Sequence, residues 1–469
     1  MSVRRVQQIC LRDLADYLQR ATGRTLILEA GDARNCEVAH IPPAGGEVDI
    51  AGLANEQAVI IGIFSDKSGW AGQLGSLVAS LARGALLLMA VPDPDPGPDL
   101  GERFPRAFLD HHTTLLHARN LPPVYVGRIL DMGGKRWIVS LHDPAITSAI
   151  KELASQPHRP LAILAAYNES DVISEVVLDL LDQGCDVAAI DNWSNDGTWE
   201  IIKRLKQLHS DRIHCERFPS DGPARYYEWK KILIRKEEIA LSNPGRWIIH
   251  TDADEIRRSP FANTTLAQGL MIASHLGANR VSFNLINFRP VENIENATFS
   301  INNMRYFEFG DQPGHFVQAK AWFQGAARVD LSNSGGHVAR FPSAVEFPYK
   351  FLLKHYPIRS QWHGMRKVHI DRRARWSPFE REKLRWHSQY DRLSEWTDFI
   401  WPKDKMEYFD EEFWENYGIL VFSDLMKDKR RQEQSVNGER PGQDNHGRNK
   451  AHSLETEEDG HATGYHREL

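Results

Sequence analysis

The feature that most constrains this chain is the alternation of short apolar runs with amphipathic stretches between residues 161 and 250. The runs are too short for helices and predict strands, whereas the stretches between them carry apolar residues at helical spacing. Strands and helices that alternate in this way predict right-handed crossovers and a mainly parallel sheet covered on both faces. The predicted strands are 161–166, 187–190, 213–216 and 246–250, and the predicted helices are 172–181, 198–208 and about 224–241.

The residues before this region, 1–156, show a second rhythm of strands and helices, which predicts a smaller α/β domain. Its later half faintly resembles the end of a Rossmann-like methyltransferase domain. No GxGxxG-type loop precedes it, so a bound dinucleotide or methyl donor is not supported, and we expect a structural or binding-assisting role. The predicted strands are 58–64, 85–91, 124–127 and 137–140, with a helix at 72–81 and a linker at 155–160.

The remaining chain divides into an aromatic-rich part, which includes a predicted strand at 281–286, and a polar end. Residues 427–469 have almost no apolar side chains and cannot bury enough surface to offset the entropy of ordering, so we expect a disordered tail. The expected domains are therefore 1–156, 157–426 and 427–469. Several aromatic residues could line an acceptor cleft, although most are more simply core: Trp322, Phe323, Tyr349, Phe351, Tyr356 and Trp362.

Composition favours a cytoplasmic protein that binds no nucleic acid. Lys and Arg number 57 and Asp and Glu 63, so the net charge is −6 and gives no overall attraction to nucleic acid. The longest apolar run, 85–91, is too short to span a bilayer, which leaves only peripheral membrane contact open. Four scattered cysteines without a CxxC pair argue against a zinc ribbon and a disulfide framework.

Asp191 follows one predicted strand and begins the acidic segment DNWSNDGT, residues 191–198. The Asp196-Gly197 pair favours a tight turn, and Asp196 or Thr198 can cap the next helix, so a capped turn is one interpretation. The other interpretation starts from position, because Asp191 ends a strand at the edge where parallel sheets bind ligands. There its carboxylate can accept hydrogen bonds from a ribose or a base.

Asp252 and Asp254 lie in the segment HTDADEI, residues 250–256, directly after another predicted strand. In an extended segment, side chains two apart point to the same side, and two such carboxylates repel unless a cation lies beside them. Mg²⁺ and Mn²⁺ prefer oxygen ligands, which suggests a metal site, although a solvated loop is the alternative. Because both acidic segments fall at the carboxyl edge of one predicted sheet, a joint ligand site is favoured.

Taken in order, the segments AAYNE (165–169), DNWSNDGT (191–198) and DADE (252–255) resemble the successive motifs of family 2-like glycosyltransferases with the GT-A fold. The resemblance covers roughly residues 158–375. It implies an α/β fold class, with a GT-A (nucleotide-diphospho-sugar transferase) Rossmann-like mixed sheet preceded by the smaller α/β domain. Asn192 stands where many members carry a second acid, a variant familiar in a bacterial subgroup with the motif DNxSxDGT.

The resemblance also implies roles for individual residues. Asp191 would contact the nucleotide of a nucleotide-sugar donor. Asp252 and Asp254 would form the DxD motif, which holds Mn²⁺ or Mg²⁺ against the donor's diphosphate, and Asp252 would thereby contact the donor as well. The residues that would line the nucleotide end of the cleft are Tyr167, Asn168 and Glu169.

A histidine beyond the DxD motif is commonly a further metal ligand in GT-A enzymes, and His337 or His355 could serve. His337 is favoured because its neighbouring glycines let the backbone approach a metal closely. The segment 359–368 is dense in cations that could meet a diphosphate, where Arg offers bidentate bonds and Lys a point charge. A basic surface helix is the alternative interpretation. The candidates are Arg359, His363, Arg366 and Lys367.

The implied reaction is transfer of a sugar from the donor to an acceptor hydroxyl, with inversion by direct displacement. A carboxylate would take the acceptor proton, and the candidate bases are Glu308 and Asp311, whereas Glu255 would support the metal site. A nucleotidyltransferase has similar needs for metal and nucleotide, but residues 164–168 lack the basic glycine-rich loop that it requires. A non-catalytic nucleotide- or carbohydrate-binding protein is the third hypothesis, and the intact aspartates argue against it.

Overall fold

The computed structural model of the chain describes a large part of residues 136–413 and four shorter segments before it. The described ranges are 25–30, 58–63, 86–92, 125–130, 136–153, 159–292, 300–310, 316–384, 386, 393–394, 396–410 and 413. The predicted helix at 72–81 and the predicted polar tail at 427–469 lie outside these ranges, as does most of the predicted linker.

The first sheet has five strands in the order β1-β2-β3-β5-β4. The first three are parallel to one another, while β5 is antiparallel to both β3 and β4. The sequence pattern predicts four of these strands to within a few residues and misses β1. The strands are β1 (Thr25–Ala30), β2 (Ala58–Ile63), β3 (Leu86–Pro92), β4 (Tyr125–Leu130) and β5 (Arg136–His142).

The second sheet carries the regular alternation that the sequence predicts. Its strands are β6 (Leu161–Ala166), β7 (Asp186–Asp191), β8 (Ile213–Arg217), β9 (Trp247–Asp252), β10 (Glu255–Arg258), β11 (Arg280–Phe288), β12 (Tyr306–Phe309), β13 (Val317–Phe323), β14 (Phe351–His355) and β15 (Glu407–Tyr408). The helices described are α1 (Pro144–Leu153), α2 (Ile173–Asp182), α3 (Thr198–Leu208), α4 (Trp229–Leu241), α5 (Leu266–His275), α6 (Gln361–Met365) and α7 (Pro378–Leu384).

Eight strands of this sheet follow the order β10-β14-β11-β13-β9-β6-β7-β8, while β12 pairs with β11 and β15 pairs with β12. Strands β9, β6, β7 and β8 are parallel neighbours, which confirms the predicted parallel core. Beyond β9 the sheet becomes mixed, because β13 runs antiparallel to both β9 and β11. Since β6 has β7 on one side and β9 on the other, the crevice at its carboxyl end is a topological switch point, where ligands bind in such sheets.

Apolar faces hold the helices on this sheet. In α2 the side chains of Ile173, Val176, Val177 and Leu180 are buried, which follows from their spacing of three to four residues. Helix α5 begins with a capping box, in which Thr265 and Gln268 each accept a hydrogen bond from the other's backbone N–H. Helix α2 packs against β7 and β10, whereas α5 packs against α1 and β11.

The segment after β5 joins the second sheet through a buried polar contact. The hydroxyl of Tyr349 donates a 3.0 Å hydrogen bond to Asp143, and α1 packs against α5. Among the described helices, none combines the length and the apolar character that a bilayer crossing needs.

Candidate functional site

A cleft of about 340 Å³ lies at the carboxyl edge of β6 and β9. It gathers side chains from the strand ends, from the loop that contains His337 and from the segment after α6. Acids, cations, histidines and aromatic rings all contribute, which suits a charged ligand with a planar part. The residues used below are Tyr167, Glu169, Tyr227, Trp229, His250, Asp252, Asp254, Gln318, Lys320, Gly336, His337, His355, Lys367 and Arg372.

The backbone of the DADE segment differs from the extended form that the sequence suggested. Strand β9 ends at Asp252, residues Ala253 and Asp254 form a turn, and β10 begins at Glu255. The reason given for placing both carboxylates on one side, an extended strand, is therefore wrong. The turn nevertheless leaves Asp252 and Asp254 in the wall of the same cleft.

Asp252 is the more accessible of the two acids, with 31% of its side chain exposed. Two lysines face it from opposite sides, since Nζ of Lys236 lies 3.7 Å from Oδ1 and Nζ of Lys320 lies 3.7 Å from Oδ2. Both distances exceed hydrogen-bond length, and Oδ1 is buried without a hydrogen-bond partner. An oxygen of this kind can accept a ligand or a metal ion.

Asp254 is buried, with a lysine on one side and a histidine on the other. Nζ of Lys367 lies 2.8 Å from its Oδ2, and Nε2 of His355 lies 3.8 Å from its Oδ1. Burial alone would raise the pKa of Asp254, but Lys367 and His355 hold that pKa below its usual value. The carboxylate is therefore ionised at neutral pH, as a metal ligand must be.

His355 comes next to these acids through strand pairing. It lies opposite Glu255 on β10 and opposite Asn287 on β11, because β14 runs between the two strands. Nδ1 of His355 donates to Oδ1 of Asn287 at 2.8 Å, which leaves the Nε2 lone pair on the side of Asp254. Burial lowers the pKa of His355, so the ring is neutral at pH 7. A neutral ring oriented by a hydrogen bond through its other nitrogen is the usual form of a ligating histidine.

His337, which the sequence favoured as the metal ligand, also lines the cleft. Its Nδ1 lies 2.9 Å from the Nε2 amide group of Gln318, so this ring nitrogen accepts a hydrogen bond and the proton sits on the other. That tautomer presents an N–H rather than a lone pair at Nε2. The contacts thus favour His355 over His337 beside Asp254.

Glu255 lies next to the acidic turn and is paired with two cations. Its carboxylate lies 2.7 Å from Nζ of Lys320 and 2.6 Å from Nη2 of Arg257, and it accepts a 3.0 Å hydrogen bond from the backbone N–H of Asp252. Burial opposes its ionisation, but Lys320 and Arg257 hold the pKa of Glu255 well below its usual value. Glu255 therefore fixes the backbone at Asp252 instead of facing a ligand.

Asp191 ends β7 and is fully buried. Its Oδ2 accepts hydrogen bonds from the backbone N–H of Ser194 at 3.1 Å and from Arg217 at 3.2 Å, whereas Oδ1 has no hydrogen-bond partner. Burial raises the pKa of Asp191, against the effect of Ser194 and Arg217. The capping interpretation of the following turn is also supported, because Asp196 accepts from the backbone and hydroxyl of Thr198. Asp191 is not among the residues that line the cleft, and its unpartnered Oδ1 is buried.

The segment after β6 lies at one end of the cleft. Asn168 has a φ of 56°, a left-handed conformation that Asn tolerates better than most residues, and its amide donates to Asp371 at 3.0 Å. The ring of Tyr167 lines the cleft and lies under the guanidinium of Arg375, 4.3 Å from the ring centroid. Tyr227 packs on the same ring, with centroids 6.1 Å apart. Aromatic faces and a cation here suit a nucleobase.

Glu169 is buried between two cations. Arg359 Nη2 lies 2.6 Å from its Oε2, and Lys367 Nζ lies 2.9 Å from its Oε1. Burial alone would raise the pKa of Glu169, but Lys367 and Arg359 hold it far below its usual value. Both oxygens of this carboxylate are paired with cations of the protein. Glu169 therefore stabilises the wall of the cleft and is a poor hydrogen-bond acceptor for a nucleotide.

The four basic candidates in the segment 359–368 separate in the structure. Lys367 lines the cleft, whereas Arg359, His363 and Arg366 line a second cavity. Arg359 is buried and paired with two carboxylates, and its backbone N–H donates to Nδ1 of His363. The expectation that all four meet one diphosphate therefore needs correction, because buried pairing fixes Arg359 and separates it from the cleft.

Among the described residues, one group of acidic and imidazole side chains is close enough to share a cation: Glu169, Asp171 and His363. Arg359 already occupies this position, since its guanidinium lies 2.6 Å from both carboxylates. The charges are thus neutralised by an arginine, and the group fits a metal poorly. The ligand atoms of Asp252, Asp254 and His355 do not all lie within 4.8 Å of one another, although all three residues line the cleft and Asp252 keeps an unpartnered oxygen.

The candidate base Glu308 is not supported by its surroundings. Glu308 lies on β12 and is paired with Arg289 at 2.7 Å, and it is not part of the cleft wall. Asp311 lies outside the described residues. The ion pair with Arg289 and the position outside the cleft wall make Glu308 a poor candidate to take the acceptor proton.

Two buried lysines beside Asp252 were not predicted from the sequence. Lys236 projects from α4, four residues from both Ile232 and Ala240, so a lysine on the apolar stripe of the helix was the available signal. Its Nζ lies 3.0 Å from Nδ1 of His250, and burial lowers the pKa of Lys236 to about 8. Lys320 alternates with apolar residues along β13, which was the corresponding strand signal.

Comparisons with solved structures give limited overlap. A mannosyltransferase from Pyrobaculum calidifontis in complex with GDP-Man and Mn²⁺ is 21% identical, with a TM-score of 0.22, over 29% of this chain and 41% of that one. A phosphoethanolamine N-methyltransferase 1 from Haemonchus contortus, in complex with phosphoethanolamine and S-adenosylhomocysteine, is 8% identical, with a TM-score of 0.14, over 48% and 66%. The chain thus spans less than half of the mannosyltransferase. No curated protein sequence matches the chain.

A family model gives the clearer result. Residues 162–227 match the model described as glycosyl transferase family 2. This segment runs from β6 to the residues before α4 and includes Asp191 and the cleft residues Tyr167 and Tyr227. Within residues 162–227 the match confirms the resemblance to family 2-like glycosyltransferases, and the parallel core with its mixed extension fits the GT-A fold. The DADE segment lies outside the matched residues.

Proposed function

We propose that the protein transfers a sugar from a nucleotide-sugar donor to an acceptor hydroxyl, with a divalent metal and with inversion. The observation that carries this proposal is the convergence of Asp252, Asp254 and His355 in one cleft beside the family 2-like segment. Two strand ends and one turn bring these groups together, although they are distant from Tyr167 along the chain.

Asp252, Asp254 and His355 would hold the metal. The unpartnered Oδ1 of Asp252 and the Nε2 lone pair of His355 fit a divalent cation, and the carboxylate oxygens suit Mn²⁺ or Mg²⁺. When bound, such an ion would stabilise the negative charge on the departing diphosphate. The P. calidifontis mannosyltransferase is in complex with the same kind of ion.

The protein's own cations would bind the donor's phosphates. Lys320, Lys367 and Arg372 line the cleft around the acidic turn, so a diphosphate there would meet several positive charges. Tyr167 and Tyr227 would pack against the base, and Oδ1 of Asp191 would accept a hydrogen bond from the nucleoside. Binding both ends of the donor in this way would orient its anomeric carbon toward the acceptor.

In the proposed reaction the acceptor oxygen forms a bond to the anomeric carbon while the bond from that carbon to the diphosphate oxygen breaks. The acceptor proton passes to a base, and inversion follows because attack and departure take place on opposite faces. For the donor we propose only the chemical class, a nucleotide sugar. GDP-Man, present in the mannosyltransferase complex, is a reasonable first probe.

We further propose the division of the chain into residues 1–156, 157–426 and 427–469, with the transferase in the middle part. We also propose that the protein resides in the reducing cytoplasm. Among the described residues, Cys185 and Cys215 are both free thiols, which supports it.

A thermal-shift screen of nucleotide sugars with and without Mn²⁺ tests the function, because a donor that binds only the native state raises the melting temperature. We expect one donor to raise it only with the metal and to be turned over slowly to free sugar. Asp252→Asn and Asp254→Asn should abolish the metal-dependent shift, whereas Asp211→Asn, an exposed control, should keep it. A metal-dependent shift of wild-type size in both cleft variants would refute the proposal.

A further inference from the structure

A second cavity, of about 490 Å³, lies beside the donor cleft. The two spaces share a wall, since Asp171 and Arg359 line the second cavity while Glu169 and Lys367 line the cleft. Nη2 of Arg359 lies 2.6 Å from both Glu169 and Asp171. One buried guanidinium therefore joins the walls of the two spaces, and a ligand in the second cavity would lie next to the donor.

The wall of this cavity is rich in positive charge. Three of its cations are already engaged by carboxylates: Arg359 by Asp171, Arg289 by Glu308 and Arg366 by Asp371. Two further cations, Arg305 and Lys403, are exposed, and no ion pair joins either of them to a carboxylate of the described residues. Glu292 is the acid that opposes them in the wall. The remaining charge favours an anionic ligand.

Aromatic rings form the rest of the surface that such a ligand would meet. Tyr306 on β12 lies opposite Tyr408 on β15, with ring centroids 5.1 Å apart, and Nζ of Lys403 lies 5.0 Å from the Tyr306 ring. Tyr408 is 50% exposed and Trp362, on α6, is 67% exposed. Large exposed rings that line a cavity gain from losing water, and their flat faces fit the apolar faces of sugar rings.

We infer that this cavity is the acceptor subsite for an acidic saccharide, one that carries carboxylate or phosphate groups. Tyr306, Tyr408 and Trp362 would pack against the sugar rings. Arg305 and Lys403 would bind the anionic group, the arginine through two parallel hydrogen bonds. The acceptor role rests on the proposed function, whereas saccharide binding by the cavity can be measured without donor or metal.

Calorimetric titration of the full chain, with neither donor nor metal present, tests the binding. The probes are trigalacturonic acid, mannose 6-phosphate, neutral maltotriose and inorganic sulfate. We expect one of the two acidic saccharides to bind at least about tenfold more tightly than maltotriose and sulfate. Its affinity should fall in high salt because the charges of the cavity are exposed. If neither acidic saccharide binds, or if maltotriose binds equally well, the inference is wrong. Equal binding of sulfate would show a bare anion site and would also overturn it.

Single variants locate the binding. Arg305→Ala and Lys403→Ala should each lower the affinity for the acidic saccharide at least about fivefold, because each removes a charge-assisted contact. Lys405→Ala is the matched control, because Lys405 lies in the same 3-10 helix, is exposed and is not part of the cavity wall. A similar loss in the control, or no loss in either test variant, would overturn the assignment.

The donor experiment separates the two proposals. If acidic saccharides bind as expected while no nucleotide sugar responds to Mn²⁺, the cavity is a saccharide site and its acceptor role is refuted. If a donor binds with metal but no acidic saccharide does, the proposed transferase stands and the acidic acceptor is refuted. In the expected case, addition of the binding saccharide also increases release of nucleotide from the donor.

Discussion

The ammonium group of Lys367 lies 2.8 Å from Oδ2 of Asp254. The same nitrogen lies 2.9 Å from Oε1 of Glu169, so one lysine joins the acidic turn after β9 to the segment after β6. Both carboxylates are buried, and neither would be stable as an anion without this cation or an equivalent one. The position of the turn within the cleft therefore depends on the segment that follows α6.

Replacing Lys367 by methionine should destabilise the protein strongly. The variant leaves Asp254 and Glu169 buried with less compensating charge, and loss of one partner of a buried pair typically costs about 3–5 kcal/mol. The free energy of unfolding from urea titration at pH 7 measures the effect. Lys405→Met, on an exposed lysine, is the control and should change stability by less than about 0.5 kcal/mol. A loss below about 1 kcal/mol in Lys367→Met would contradict the role of this lysine.

Acid pH should remove the contribution of Glu169. Its pKa is held far below the ordinary value of 4.5 by Lys367 and Arg359, although burial opposes them. A carboxylate with a lowered pKa stabilises the fold above 4.5, and this stabilisation is lost as the pH falls, because the unfolded chain takes up the proton first. The stability advantage of the wild type over Glu169→Gln should thus shrink by about 1.4 kcal/mol per pH unit below 4.5. Urea unfolding between pH 7 and 3.5 measures it, and a constant difference would contradict the pairing.

Local periodicity was sufficient to predict the parallel core and several helices. The strand Leu161–Ala166 and the helix Thr198–Leu208 have the predicted bounds, because their apolar residues follow the strand and helix periods closely. The positions of Asp191 and Asp252 at strand ends follow from the same pattern. What periodicity could not supply was the turn at Asp254, since DADE is as compatible with an extended strand as with a turn.

Contacts between residues far apart in the chain could not be predicted either. His355 meets Asp254 because β14 pairs with both β10 and β11, and strand register between distant segments leaves no local signal. Arg359 was predicted to bind phosphate because the sequence alone does not distinguish a buried arginine from an exposed one. Its burial against Asp171 depends on the folding of two segments nearly two hundred residues apart.

The two histidines of the cleft should differ in their effect on metal binding. His355→Gln removes the nitrogen lone pair that faces Asp254, so Mn²⁺ affinity should fall at least about tenfold, as for altered metal sites in general. His337→Gln should change it less than about threefold, because Nδ1 of His337 accepts from Gln318. Electron paramagnetic resonance of free Mn²⁺ measures both affinities without turnover. The reverse order would restore His337 as the ligand.

Gly336 should resist substitution for two separable reasons. Its φ of 91° strains any L-residue, and an added Cβ would lie 2.7 Å from Nε2 of His250, a ring that Lys236 holds at 3.0 Å. Gly277 has a similar φ of 79° with no atom within 4 Å of an added Cβ, so Gly277→Ala isolates the backbone strain, about 1 kcal/mol. Gly336→Ala should cost at least about 1 kcal/mol more, because the buried ring must move. Urea unfolding of the two variants measures this difference. Equal losses would show that the His250 ring moves at little cost and is not held in place by Lys236.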